Sequence, residues 1–330
     1  MRTVLITGCA TGFGHRLAAR CLALGHRVIA SDHHLDDWPE ALGAPREDLM
    51  VLALDVRDVD QVKAAARQAI GWGPVDVLVN NAGYALFGTQ EELDLRLVRD
   101  LFDVNVLGAA RVTQALLPAL RESKGTIVQL SSVAGRTVFT ESGFYAATKY
   151  AIEAMTEALF QETCTFGIKV RLIQPGSFAT QFLSTATEAS PEPPSSSPYA
   201  AHRDTWMARK LAVLEPPQDP MVVVEAIIAS FDAPEPFLRI PVGPDAERII
   251  GLRDAMQPDG WSRLMGDRAG LKAPHKPGQI PEAAELLRLL DAGDSVPPPV
   301  RAAYRYGHLE HWADTEAGQA ALNRLRILPG

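Results

Sequence analysis

Three scarcities narrow the field before any motif is read. Cysteine is the first: Cys9, Cys21 and Cys164 are the only ones in 330 residues. Three thiols so far apart build no disulfide framework, and a reducing, cytoplasmic compartment is expected. Long apolar runs are the second, since no stretch approaches the ~18 residues of a membrane span. An apolar segment begins at Thr3 with no basic leader pattern before it, and no signal peptide is expected. Positive charge is the third: 32 basic residues stand against 40 acidic ones, a net charge of -8. The basic residues are scattered, only seven are lysine, and none cluster as polyanion-binding patches do. Neither a nucleic-acid nor a membrane partner is expected.

What is present is ordinary globular composition, 47% hydrophobic and 22% charged. Up to about residue 180, short apolar runs occur at Thr3–Thr7, Arg27–Ser31, Met50–Leu54, Val75–Val79, Thr126–Leu130 and Lys169–Ile173. Helical spacing fills the gaps, at Leu17–Leu24, Val59–Ile70, Val98–Leu120 and Phe144–Phe166. Strands apolar throughout are buried on both faces, and their alternation with helices implies right-handed crossovers. The expected architecture is α/β, a doubly wound parallel sheet.

Beyond Thr180 the character changes. Ser184–Pro198 is rich in Ser, Pro, Thr and Glu and reads as a mobile loop. Asp219-Pro220 opens a helix through about Phe231, and Phe237–Val242 is one more strand, at an edge or strand end because of Pro241. Further helical pieces near Ala246–Met256, Glu282–Ala292 and Thr315–Leu325 are separated by Pro- and Gly-rich loops. The reading is an α/β unit over 1–245, with a loop at about 178–218, and a mostly helical extension over 246–330. The extension packs on the same domain or on a neighbouring subunit.

The first strand runs into Thr7-Gly8-Cys9-Ala10-Thr11-Gly12-Phe13-Gly14 and then a helix. Glycines at such a turn let backbone approach a pyrophosphate, and the helix N-terminus offers free N–H groups and a positive dipole end. The second strand ends at Asp32, 18 residues after Gly14, where a carboxylate accepts both hydroxyls of an adenosine ribose and repels a 2′-phosphate. His33 and His34 soften that repulsion only when protonated. The plainer alternatives are a glycine turn without ligand and a solvated strand-end acid.

Tyr145 and Lys149 lie four apart on one helix and share a face. An ammonium beside a phenol favours the phenolate, which tunes the tyrosine for general acid/base work. A bland surface pair is the alternative. Ser132, at a strand end 13 residues upstream, is placed to hydrogen-bond an oxygen on which charge develops. His308 and His311 share a helical face, but no further ligand completes a metal site around them, and none is expected. Cys9 has no base at a suitable spacing and reads as packing.

The spacing of Gly8, Gly12 and Gly14, the Asn80-Asn81-Ala82-Gly83 segment and Tyr145-Ala146-Ala147-Thr148-Lys149 together resemble the classical short-chain dehydrogenase/reductase family over about 1–245. The extended branch carries glycine where this chain has Thr11. The resemblance implies a Rossmann fold and an NAD-dependent enzyme, in which Gly8, Thr11, Gly12, Phe13 and Gly14 form the phosphate turn. It places Asp32 and His33 at the adenosine ribose, Asp55 and Val56 at the adenine, and Asn81, Ala82 and Gly83 beside it. Pro175, Gly176, Phe178 and Thr180 lie against the nicotinamide. The catalytic set it implies is Asn105, Ser132, Tyr145 and Lys149, with Asn105 holding a relay water and Tyr145 and Lys149 also touching the cofactor.

The substrate region of that family falls here on Ser132, Tyr145, Phe139, Phe144, Phe178 and Phe182, an apolar lining suited to a bulky hydrophobic secondary alcohol or ketone. Stretches after Gly176 are also similar to relatives grouped with steroid and retinol dehydrogenases. A homodimer or homotetramer is expected. The competing readings are a non-catalytic NAD-binding sensor of the same fold and an NADPH-linked carbonyl reductase.

Overall fold

The computed structural model describes residues 1–35, 38, 42–203, 218–256, 261, 262 and 265. The expected helices at Glu282–Ala292 and Thr315–Leu325, and His308 and His311, lie outside the described residues.

Among the described residues, seven strands form one parallel sheet: β1 (Thr3–Thr7), β2 (Arg27–Asp32), β3 (Leu49–Ala53), β4 (Val77–Asn80), β5 (Thr126–Leu130), β6 (Lys169–Pro175) and β7 (Phe237–Val242). Their spatial order is β3-β2-β1-β4-β5-β6-β7, with every neighbouring pair parallel. The chain builds outward from β1 in one direction, returns to β4 and builds outward in the other. Between β1 and β4 the order reverses, and in doubly wound sheets ligands bind in the crevice at that point.

Strand alternation divides the apolar residues between two cores. Val4, Ile6, Val28, Ala30 and Val128 point to one face, packed with Leu17, Ala18 and Ile227. Leu5, Ile29, Leu78, Ile127 and Val170 point to the other, packed with Val62, Ala69 and Leu116. The first cluster is covered by α1 (Gly12–Ala23) and the helix Met221–Ser230, the second by α2 (Val59–Trp72) and the helix Ala109–Ser123. Burial on both faces is why these strands carry almost no polar alternation.

The apolar pattern over Val98–Leu120 reads as one helix, yet the structure divides it. An α-helix, α3 (Leu95–Phe102), passes into a π-helical turn at Asp103–Gly108 before α4 (Ala109–Ser123). Two contacts hold the wide turn. Gly108 sits so close to Val56 that an added Cβ would lie 2.5 Å from Cγ2, and the Asn105 amide is drawn to the backbone of Tyr84. Such turns are commonly placed at functional sites.

The remaining α-helices among the described residues are α5 (Gly143–Thr163), α6 (Phe182–Ala189), α7 (Met221–Ser230) and α8 (Pro244–Ala255). Helix α6 occupies the first half of the Ser184–Pro198 segment that reads as a loop. Composition misled there because Ala186 and Phe182 pack on Tyr145 and Ala85, and that burial outweighs the Ser/Thr content. Helix α8 begins before the expected boundary at 245/246, and its Ala246, Ile249 and Ile250 pack with Val133, Phe139 and Trp261.

Candidate active site

The crevice between β1 and β4 is closed at its base by reciprocal hydrogen bonds. Thr7 Oγ1 accepts from the backbone N–H groups of Asn81 (3.1 Å) and Ala82 (3.0 Å). Asn81 Nδ2 donates to the carbonyls of Thr7 (2.8 Å) and Gly8 (2.9 Å). The two strand tips and the glycine turn therefore form one rigid piece. At Gly14 a Cβ would stand 2.0 Å from the Gly8 carbonyl oxygen, so only glycine lets α1 approach the strand. Gly12 differs: its φ is +61° and nothing lies within 4 Å of where its Cβ would be. No side chain caps the first turn of α1, which leaves its N–H groups directed at that space. An uncapped helix N-terminus above a side-chain-free cradle fits a pyrophosphate.

Asp32 lies beside this cradle with its side chain only 8% exposed. Its Oδ2 accepts from Ala10 N (2.8 Å) and its Oδ1 from His33 N (2.8 Å), while His33 Nδ1 stands 2.8 Å from Oδ1. The carboxylate is thus fixed in place by the glycine turn itself. The His33 and His34 rings lie 4.2 Å apart. Asp55 is gripped by Arg57, whose guanidinium holds its carboxyl below the usual range. Arg57 also reaches Asp100 (2.6 Å), which accepts from the Tyr84 hydroxyl (3.0 Å). Val56 is buried beneath Gly108, and Gly83 faces the Asn105 amide.

The reactive side chains converge from β5 and α5. Ser132, just past β5, caps the short turn Val133–Gly135, its Oγ accepting from Ala134 N at 3.1 Å. That leaves its proton to donate, and it is hydrogen-bonded with Tyr145. Lys149, one turn further along α5, donates to the Leu130 carbonyl at 2.7 Å and lies 5.8 Å from the centroid of the Tyr145 ring. Both are buried. Here the electrostatics differ from the sequence expectation. Burial pushes the Tyr145 phenol up to about 12, opposed only by the Ser132 hydrogen bond. Burial also takes Lys149 down to about 8, opposed by the charge of Glu153. In a dry site desolvation disfavours both charged forms, and it is the larger influence on each.

Asn105 is 3% exposed and its amide is fully engaged: Oδ1 accepts from Tyr84 N (3.0 Å), and Nδ2 donates to Tyr84 O (2.9 Å) and Thr148 Oγ1 (3.1 Å). Its side chain therefore braces the loop after Gly83 against α5.

Past β6, Pro175-Gly176 leads over a buried carboxylate. A Cβ on Gly176 would fall 1.9 Å from Asp245 Oδ1, and Ser177 N donates to Asp245 Oδ2 at 2.7 Å. Phe178 packs edge-on against Phe13, with ring centroids 5.9 Å apart, and Thr180 Oγ1 accepts from Phe182 N at 3.3 Å. The four phenylalanines expected at the substrate separate. Phe182 meets Tyr145 at 5.6 Å between centroids, with Phe87 and Ala186 in the same cluster. Phe178 belongs to the central core, whereas Phe139 packs on α8 and Phe144 packs with Leu86, Leu93 and Leu101. Aromatic character alone did not say which way each ring turns.

Three residues at the site were not singled out by sequence. Glu153 had a signal, since it follows Lys149 by four and so shares the Tyr145 face of α5. Thr148 and Asp245 had none, because their roles depend on Asn105 and Gly176 approaching from distant parts of the chain. Among the described residues, no group of three or more His, Cys, Asp or Glu could hold a metal. No described helix is long and apolar enough to cross a membrane.

A doubly wound sheet with a phosphate-shaped turn at its switch point and a Ser-Tyr-Lys cluster beside it defines a dinucleotide-linked oxidoreductase. The short chain dehydrogenase family model matches residues 2–191, and the chain belongs to that family. It is 36% identical over 249 residues to estradiol 17-beta-dehydrogenase 1 of Rattus norvegicus, covering 72% of each chain. It is 37% identical over 260 residues to retinol dehydrogenase 8 of Homo sapiens, covering 72% of this chain and 80% of that protein. Among solved structures, a short-chain dehydrogenase from Streptomyces avermitilis superposes with a TM-score of 0.67 at 32% identity, over 80% of this chain and 96% of that one.

Proposed function

We propose that the protein interconverts a bulky hydrophobic secondary alcohol and its ketone using NAD. The observation that carries this reading is the buried Tyr145, hydrogen-bonded with Ser132, one helical turn from Lys149 and under the ring of Phe182. A binding module has no use for that cluster, which weighs against the sensor reading. The kinship with proteins named for estradiol and retinol supports the same apolar substrate class.

The bound nicotinamide would accept or deliver the hydride at the carbinol carbon. Gly8, Gly12 and the first turn of α1 would hold its pyrophosphate, and Asp32 the adenosine ribose. Ser132 donates to the substrate oxygen, orienting it and stabilising negative charge as it develops. Tyr145 exchanges the hydroxyl proton with that oxygen. Lys149 places positive charge beside the phenol and favours its deprotonation in the oxidative direction. Asn105 braces the loop after Gly83 against α5, beside which a relay water leading to Lys149 is proposed. Phe182 and Phe87 exclude bulk water and present an apolar wall.

Asp32 carries the preference for NAD. With both oxygens already accepting from backbone N–H groups, its charge is fixed where a 2′-phosphate would lie. Asp32→Ala combined with His33→Arg should raise NADP use relative to NAD at least about tenfold, the order of one lost repulsion and one gained guanidinium contact. Unchanged preference would refute the role of Asp32. The test of the reaction itself is NADH formation with a panel of bulky secondary alcohols.

The same reading includes a homo-oligomer. Leu95, Leu97 and Leu107, 59%, 37% and 49% exposed, present apolar surface on α3 and the π-helical turn, and a second copy of the chain is the occupant proposed for it. A cytoplasmic location is proposed from three free cysteines.

A further inference from the structure

We propose that Glu153 is a positioning residue of the active site: its buried carboxylate ties together the strand ends that carry Ser132 and the Pro175-Gly176 turn, and its charge keeps Lys149 an ammonium. The inference rests on the dehydrogenase reading above. Glu153 lies on α5, 6% exposed, one turn beyond Lys149. Its Oε1 accepts from Ser131 Oγ at 2.5 Å and from Gln174 Nε2 at 2.9 Å, and its Oε2 from Arg239 Nε at 3.0 Å. Ser131 immediately precedes Ser132, Gln174 immediately precedes Pro175, and Arg239 is on β7. One carboxylate thus links the ends of β5 and β6 and the middle of β7 to the helix that carries Tyr145 and Lys149.

The close approach is built in. At Gly135 a Cβ would meet Ser131 Oγ at 2.6 Å and Glu153 Cγ at 3.1 Å, so only glycine leaves room for this contact. A buried charge is a poor way merely to stabilise a core, because well-packed apolar or neutral groups do that without desolvation. The charge has a consequence that a neutral isostere lacks. Around Lys149 stand the Leu130 carbonyl, the Tyr145 phenol and the Glu153 carboxylate. Arg239, bonded also to Glu157 at 2.6 Å, stands behind Glu153. Glu153 is the anion that opposes the desolvation of Lys149, whose ammonium has been brought down to about 8.

Glu153→Gln keeps the shape and removes the charge. Two readouts test it: the pH profile of ketone reduction, and the titration of the Lys149 ammonium by NMR on lysine-labelled protein. Seven lysines make the spectrum tractable, with Lys149 assigned by Lys149→Arg. The wild-type midpoint is expected near 8 in both readouts. In Glu153→Gln it falls by about one unit, the order expected for losing a nearby opposite charge. With it kcat drops about tenfold while the cofactor Kd is unchanged. Glu153→Asp, which keeps the charge, restores the midpoint. Arg239→Met, which leaves Glu153 less neutralised, moves it upward and serves as the test should Glu153→Gln not fold. A lower melting temperature with both midpoints unmoved would make Glu153 merely structural and overturn the proposal. Absence of turnover in the wild type would instead reject the dehydrogenase reading, and the NMR midpoint would still decide the role of Glu153.

Discussion

Lys149 concentrates the conflict between stability and chemistry in a single side chain. Unfolded, its ammonium has the ordinary lysine pKa of 10.5; folded, burial lowers that to about 8. Below pH 8 the ammonium is charged in both states, and the full cost of burying it is present. Between pH 8 and 10.5 the folded protein sheds the proton first and the cost is relieved. Lys149→Met should therefore raise the melting temperature at pH 7, and the gain should fade as the pH approaches 10.5. The shift corresponds to at most about 3 kcal/mol, reduced by about 1 kcal/mol for the lost hydrogen bond to Leu130. A melting series from pH 6 to 10.5 checks it; a gain that grows with pH would contradict the account. The same residue was legible from its spacing to Tyr145. The direction of the Tyr145 shift was not, because spacing reports proximity and says nothing of how dry the site is.

At the scale of elements, the strands were legible because double burial writes itself as unbroken apolar runs: Thr3–Thr7, Thr126–Leu130 and Phe237–Val242 lie where the pattern puts them. The π-helical turn and α6 were not. Each is decided by a contact distant in sequence, Val56 on Gly108 in one case and Tyr145 on Ala186 in the other, and local composition does not record it. The segment after α6 is fastened to the loop that follows Gly83 and to Glu141. Arg203 pairs with Glu92 and with Glu141 (2.9 Å) and donates to Ser197 Oγ (3.0 Å), and Phe87 N donates to Ser190 Oγ at 2.8 Å. Glu141 holds a left-handed conformation, φ 62°, strained for a residue other than glycine. With Arg203 and its two acids mostly buried, the latch is worth more than a surface pair, and Arg203→Ala should strand two carboxylates. The expected result is a several-fold higher KM for the hydrophobic substrate, unchanged cofactor affinity, and faster proteolysis within 184–203. Unchanged KM and cleavage rate would show that the latch does not hold the segment in place.

For the whole molecule, the switch point between β1 and β4 gathers parts that are far apart in sequence: the phosphate cradle, Asp32, the Ser132-Tyr145-Lys149 cluster and the aromatic wall of Phe182. The exposed leucines of α3 and the π-helical turn are the face proposed to receive a second copy of the chain. Leu95→Glu with Leu97→Glu should reduce an oligomeric wild type to a species of 35.7 kDa in light scattering; identical masses would remove that face from the interface. The central claim is that Tyr145 exchanges the substrate proton in an NAD-linked alcohol–ketone reaction. Its most direct test is NADH formation from bulky secondary alcohols by the wild type and by Tyr145→Phe, with NAD binding measured in both. The account predicts turnover in the wild type and a loss of about a thousandfold in the variant with binding retained. Normal turnover by Tyr145→Phe would contradict it.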